Sequence, residues 1–438
     1  MLLFVRLFGV PGAFLAAWKS TRRAHSPGWE RVPGWGPAPP LPYTNRRSQS
    51  VEPGKPVSAL RILLVRPDHL GDVLLTTPAL HALKKYVPDA HITYMVGPWS
   101  REVVARHADI DELLTCSFPG FRRAPQNPLA PYFLLLHVAR QLRRGNYDLA
   151  INLRPDFWWG AALLYLARIP HRVGYALEPG SQFLTQSVPF QEPEHATISN
   201  LRLVNTALQM LGHPPLQEPY TPEQYPLQFA PTAEERKWIT ERLYKEGIDA
   251  ETTVVVIHPG SGAAVKLWRT ESWAACANAL ASLLTSLADA RIILTGSLGE
   301  HAMLEEIALV MSSPPILITD ATLGQLAALL GRACLVLGVD SGPLHLAVSQ
   351  STPTVQIFGP TDARNFGPWG APQKHIVIAS TQRCPSCPTI PCGRLDFTLQ
   401  ELPAHPCVRV VSEQQVLAAI ETLAPYLMKN IDRAQKSS

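Results

Sequence analysis

GVDSGPLHLAVSQSTPTVQIFGPTD, Gly338 to Asp362, places an acid at the end of an apolar run and a histidine soon after it. CLVLGVD reads as a buried strand, GPLHLAVSQ as a helix, and TPTVQIFGPTD as a second strand closed by a Gly-Pro-Thr-Asp turn. A helix between two fully apolar strands is the signature of a parallel sheet with both faces covered. In such sheets ligands sit beyond the carboxyl ends of the strands. Asp340 stands at such an end, and Ser341 and Gly342 open the helix that follows. Free backbone N–H groups at that helix start suit phosphate oxygens. The plainer reading is that Asp340 caps the helix.

The same alternation extends in both directions. Upstream, RILLV, HITYMVG and YDLAINL read as strands, with DVLLTTPALHALKKYVP, SREVVARH and WWGAALLYLAR as helices between and after them. A polar stretch from Tyr220 to Arg236 interrupts the pattern. It then restarts: TVVVIHPG and ARIILTGS are strands with Gly turns, and TESWAACANALASLL and LGQLAALLGRA are helices. Two doubly wound α/β domains facing a central cleft are expected, over residues 58–225 and 226–438. Residues 26–57 are rich in Pro, Gly and Ser and read as a linker. Residues 1–57 therefore form an apolar and basic segment plus that linker.

The chain has 438 residues, 46% hydrophobic and 17% charged, which is a globular balance with a large core. Net charge is +4, but residues 1–57 hold eight Lys/Arg against two Asp/Glu, or +6, which leaves −2 for the rest. The body of the protein is thus not a nucleic-acid binder by charge. Seven cysteines, three of them scattered singly, do not resemble a secreted disulfide framework, so a reducing, cytoplasmic compartment is expected. MLLFVRLFGVPGAFLAAW followed by KSTRR has its positive charge on the wrong side for a signal peptide. Two readings stay open for residues 1–23. One is peripheral contact with the inner face of the plasma membrane, and the other is a disordered or mis-assigned start.

Four strand-end turns carry the chemistry. His258-Pro-Gly-Ser-Gly262 lets a backbone approach a ligand closely, and Lys266 follows with a point charge for a phosphate. TGSLGE ends in Glu300, which can accept hydrogen bonds from a ribose diol. Ser341, Gly342 and His345 lie within one helical turn of Asp340. Together these suggest a nucleotide diphosphate. In the first domain, RPDHLGDVLLTTPAL places Asp72 at a helix start, where the dipole keeps a carboxylate ionised. There it is either an N-cap or a general base for a hydroxyl nucleophile. Neither a Walker pattern nor a dinucleotide G-x-G-x-x-G fingerprint occurs.

ILLVRPDHLGDVLLTTPAL, HPGSG with its K-x-W, VDSGPLHLA and FGPTD, in this order, resemble glycosyltransferase family 9, the ADP-heptose:lipopolysaccharide heptosyltransferases. The resemblance runs from about Leu60 to about Thr422. It implies a GT-B fold with two Rossmann-like domains. It also implies inverting transfer of a sugar from a nucleotide-diphospho-sugar to a hydroxyl of a cell-envelope glycan or glycolipid, with no obligatory cofactor. Position by position, it makes Asp72 the base. Ser261, Gly262 and Lys266 become the diphosphate turn, Glu300 a nucleoside contact and Asp340 a sugar contact, and Ser341, Gly342 and His345 lie on the phosphate side. A catalytically inactive nucleotide-sugar-binding homologue and a GT-B nucleotide-sugar epimerase are the competing readings. Outside the pattern stands CPSCPTIPC with HPC downstream. Cys384, Cys387, Cys392 and Cys407 can hold a structural zinc; otherwise they are free or redox-active thiols in a Pro-stiffened loop.

Overall fold

The computed structural model describes residues 59–121, 127–285, 290–398 and 400–427. The N-terminal segment, with its expected membrane contact through residues 1–23, lies outside the described residues. Among the described residues no helix is long and apolar enough to cross a membrane.

The chain forms two compact units. Of the described residues, one comprises 59–69, Ala79–Glu192 and Ile198–Gln217; the other comprises Leu70–Pro78, Pro193–Thr197 and those from Glu218 onward. The first unit holds six strands: β1 (Arg61–Arg66), β2 (His91–Val96), β3 (Glu112–Thr115), β4 (Leu149–Asn152), β5 (His171–Tyr175) and β6 (Gln186–Val188). They pair in the order β3-β2-β1-β4-β5-β6, all parallel. The second unit holds β7 (Thr253–His258), β8 (Ala290–Thr295), β9 (Ile316–Ile318), β10 (Leu335–Val339), β11 (Thr354–Phe358) and β12 (His375–Ala379). Its sheet, read from the other edge, is β9-β8-β7-β10-β11-β12, also parallel throughout. Both sheets thus have the doubly wound order 3-2-1-4-5-6.

Burial explains why these segments are strands. Every residue of β7, β10 and β11 is buried, as an interior strand covered by helices on both faces requires. Each unit has its own core. Leu63, Val65, Ala150, Leu163 and Trp159 build the first, and Val255, Ile257, Leu294, Leu337 and Trp273 the second. Helix starts are fixed by capping boxes at Thr232/Glu235, Thr322/Gln325 and Ser412/Gln415, each of which satisfies two backbone donors.

In a doubly wound sheet the strand order reverses at one place, and a crevice opens there beyond the strand ends. In the second unit this switch point lies between β7 and β10, where His258–Lys266 and Asp340–His345 emerge. In the first unit it lies between β1 and β4, where Asp68 and Arg154 emerge.

Candidate functional site

Asp340 follows β10 directly and is buried. Its carboxylate does not cap the helix Gly342–Ser349. The N-cap is Ser341, which makes no side-chain cap bond, and Pro343 lies in the first turn. Instead Lys266 Nζ donates to Asp340 Oδ2 at 2.6 Å, and Thr361 Oγ1 donates to the same oxygen. Lys266 ends a 3-10 turn, Ala264–Lys266, just beyond the Gly-rich loop after β7. The β7, β10 and β11 ends are therefore tied together by one carboxylate. Both charged side chains are largely withdrawn from solvent, at 14% and 7% exposure, so the pair is worth having only with its extra hydrogen bond.

Asp72 lies in the first turn of the helix Leu70–Leu74 and is half-buried. The helix starts two residues before it, so Asp72 is not an N-cap. This helix belongs to the second unit, where it packs on the helix Gly342–Ser349. The contact is glycine to glycine. A methyl group on Gly71 would lie 2.9 Å from His345 Cδ2 and 3.4 Å from Gly342 Cα, and one on Gly342 would lie 3.2 Å from the Gly71 nitrogen. Only residues without a side chain let the two helix starts approach this closely. The approach puts Gly71, the residue before Asp72, against the start of the helix that follows Asp340 and Ser341. Two motifs that stand far apart in the sequence meet here.

Three histidines line this region, all held neutral by burial. His345 is buried, and its pKa is pushed down to about 4; nearby Lys266 adds to the effect and Asp340 opposes it. Among the described residues its Nδ1 has no hydrogen-bond partner, and neither does the Ser341 hydroxyl. Such groups are stabilised when a ligand supplies the missing partner. His258 is also lowered to about 4 by burial, with Glu300 opposing, and its Nδ1 lies 3.1 Å from Thr295 Oγ1. The third, His195, escapes a reading of the sequence because it precedes its helix in an unpatterned loop. The Thr197 N–H donates to its Nδ1 at 3.2 Å, so Nε2 carries the proton and donates to the Gly367 carbonyl at 3.0 Å. Its ring stacks on Trp369, and burial lowers its pKa to about 4. Of the groups named here, Lys266 alone brings a formal positive charge.

Glu300 has a structural job. Its Oε2 accepts from the Ser297 N–H at 2.7 Å and from the Ser297 hydroxyl at 2.8 Å, closing a capping box. Its Oε1 faces the Gly-rich loop, where a methyl on Gly260 would collide with it. Glu300 is thus beside the loop that holds Ser261 and Gly262. Ser261 Oγ accepts from the Ala263 N–H at 3.5 Å, and Gly262 is exposed with open space around its Cα.

At the first unit's switch point, Asp68 is buried between two arginines. Arg66 Nε lies 2.7 Å away, and Arg154 Nη1 donates to the other carboxylate oxygen. The Arg154 guanidinium also lies over the Phe121 ring, which stacks on Trp99. Arg154 is 30% exposed, and the sequence reading missed it because RPDF carries no motif.

The sequence profile described as "Glycosyltransferase family 9 (heptosyltransferase)" matches residues 135–392, more than half of the chain. Lipopolysaccharide heptosyltransferase 3 of Escherichia coli K12 is 27% identical over 370 residues, covering 83% of this chain and 98% of that protein. Lipopolysaccharide heptosyltransferase 1 of the same strain is 23% identical over 344 residues, covering 74% and 97%. Among solved structures, a family 9 glycosyl transferase from Veillonella parvula superposes with a TM-score of 0.67 at 25% identity, covering 86% of this chain and 99% of that one. The E. coli ADP-heptose heptosyltransferase II gives 0.59 at 20% identity, covering 84% and 99%, a likeness of fold. With these matches and two doubly wound units of GT-B type, the chain belongs to glycosyltransferase family 9, the heptosyltransferases, and is a glycosyltransferase.

Proposed function

We propose that the protein transfers heptose, with inversion, from ADP-heptose to a hydroxyl of a lipopolysaccharide core. The observation that carries this reading is the glycine contact between Gly71 and Gly342, which gathers Asp72, Ser341, His345, Asp340 and Lys266 into one unit. The relatives named above are lipopolysaccharide heptosyltransferases, and one solved E. coli heptosyltransferase of the same fold carries ADP.

The diphosphate lies on the Ser261–Gly262 turn and the start of the helix Gly342–Ser349, whose N–H groups and dipole favour anions. Ser341 Oγ and His345 Nδ1 supply polar partners on the phosphate side. Asp340, held by Lys266 and Thr361, meets the sugar hydroxyls, and Glu300 lies toward the nucleoside. The acceptor oxygen forms a bond to the anomeric carbon as the bond from that carbon to the phosphate oxygen breaks. The acceptor's proton goes to the Asp72 carboxylate, and the electron pair leaves with ADP. Lys266 and the helix N–H groups stabilise the charge that develops on the diphosphate.

Two variants assayed with ADP-heptose and a lipopolysaccharide core acceptor test the reading. Asp72→Asn lowers kcat by on the order of a hundredfold or more while ADP still raises the melting temperature as in the wild type. Lys266→Ala loses on the order of a hundredfold in kcat/KM and also weakens the ADP-induced rise. Undiminished transfer by Asp72→Asn removes the base from its role, and a wild-type protein inert toward ADP-heptose removes the donor.

A further inference from the structure

The cysteine motif is the one sequence feature that sugar transfer leaves unused. Residues 380–401, between β12 and the 3-10 turn Leu402–Ala404, contain no helix or strand among the described residues. A segment of this length without regular structure needs something else to fix it. Yet it contributes to the second unit's core: Cys384, Cys387 and Cys407 are 3%, 8% and 2% exposed, and His405 is 7% exposed. Cys384 Sγ, Cys387 Sγ and a ring nitrogen of His405 all lie within 4.8 Å of one another, with Cys387 Sγ 3.3 Å from His405 Nδ1. The Cys407 thiol sits beside Cys384, and the half-buried Cys392 thiol lies near both Cys387 and Cys407. None of these cysteines is in a disulfide.

The donors come as two short chelating pairs. Cys384-Pro-Ser-Cys387 forms a turn in which the Cys387 N–H donates to the Cys384 carbonyl at 3.0 Å, so both sulfurs point the same way. His405-Pro-Cys407 arrives from the other side of the loop. Two sulfurs and one imidazole stand together, and the Cys407 thiol beside Cys384 is at hand as a fourth donor, which is the ligand count and type of a structural zinc site. A loose group of buried thiols has no reason to bring an imidazole into its centre. The His405 ring is further fixed by Phe397, whose centroid is 3.7 Å away, and by Ser386 Oγ, 3.4 Å from Nε2. Such outer partners hold a ligating histidine in one orientation.

We infer that Cys384, Cys387, His405 and Cys407 clasp a single thiophilic divalent ion such as zinc, and that this clasp backs the turn holding Asp340. The second part follows from three contacts. A methyl on Gly359 would lie 3.3 Å from Cys407 Sγ, so the cluster touches the Gly359–Asp362 turn. The Gly393 N–H donates to the Pro360 carbonyl at 2.7 Å. The next residue, Thr361, donates to Asp340. The ion is structural, and the four ligands are positioning residues for the carboxylate that pairs with Lys266. This second part rests on the donor-site reading above, whereas the metal site does not.

Elemental analysis of the full-length protein, purified without chelator, is expected to find one divalent metal ion per chain. Cobalt exchanged into the same protein is expected to show the visible bands of a tetrahedral thiolate complex. Cys387→Ser and His405→Ala each lose the ion, and Cys392→Ser keeps it. Metal well below one equivalent in the wild type, with no cobalt bands and all cysteines titrating as free thiols or disulfides, overturns the site whatever the variants do. Loss from Cys392→Ser with retention in His405→Ala overturns this ligand set. Stripping the ion is expected to shrink the ADP-induced rise in melting temperature, with recovery on adding zinc. An unchanged ADP response after stripping overturns the link to Asp340. If ADP fails to stabilise even the metal-loaded protein, the donor reading falls while the metal count still stands.

Discussion

Asp340 is held from two sides, by Lys266 and by Thr361. Its placement after an apolar run made it stand out in the sequence as a candidate ligand contact. What the sequence could not show is its second partner. Thr361 belongs to FGPTD, but a threonine in a turn carries no signal until the sheet brings the ends of β10 and β11 together. His345 was legible as a neighbour of Ser341, whereas the packing of its ring on Gly71 was not, because that contact joins segments more than 270 residues apart. Thr361→Val tests the support given to Asp340. It removes one charge-assisted hydrogen bond, on the order of 1–2 kcal/mol, and leaves the Lys266 pair intact. The donor KM is expected to rise roughly tenfold at similar kcat. An unchanged KM shows that Lys266 alone positions the carboxylate.

Two helix starts pressed together at Gly71 and Gly342 bring the Asp72 helix against the start of the helix that follows Asp340. Both glycines stand in quoted motifs, but their partnership is tertiary. The interior strands β1, β2, β4, β7, β8, β10 and β11 were legible from their apolar runs. The strands β3, β5, β6, β9 and β12 were not. β3, β6, β9 and β12 are sheet edges, and β6, Gln186–Val188, is mostly exposed, so it lacks the continuous apolar run of a strand buried on both faces; β5 is interior, but its HRVGY carries a His, an Arg and a Gly in five residues. Gly71→Ala adds a methyl 2.9 Å from His345 Cδ2, an overpacking that typically costs about 1–3 kcal/mol. Because it pushes the Asp72 helix away while the Lys266 loop stays, kcat should fall far more than the affinity for ADP. Steady-state kinetics beside ADP thermal shifts measure the two, and equal losses would contradict a positioning role.

Among the described residues, five histidines are held toward the neutral form by burial, His107 being one of them. His195, His258, His345 and His375 each have a pKa pushed down to about 4, with burial the first cause in every case. Unfolded histidine titrates near 6.5, so below that pH the unfolded chain binds protons that the native chain refuses. Above about pH 7 the effect is absent; stability is lost as pH falls from about 6.5 towards 4, by at most about 3 kcal/mol per histidine. Calorimetry from about pH 8 to 5 should show the melting temperature falling on the acid side, with close to one proton taken up per buried histidine. No proton uptake on unfolding near pH 5 would mean that these rings are charged in the native state. None of this was visible beforehand, since a histidine in a string of letters does not disclose its solvation.

The polypeptide enters the second unit with Leu70–Pro78, leaves it, touches it again at Pro193–Thr197 and settles there only from Glu218. Neither half is therefore a contiguous stretch of gene product. A ribosome has delivered the Asp72 helix long before the platform that will receive it exists, and that helix must wait for more than 260 further residues before Gly342 emerges. The donor-holding half thus cannot mature independently of the segment translated first, and any division of the chain at its apparent midpoint severs the wedge from its socket.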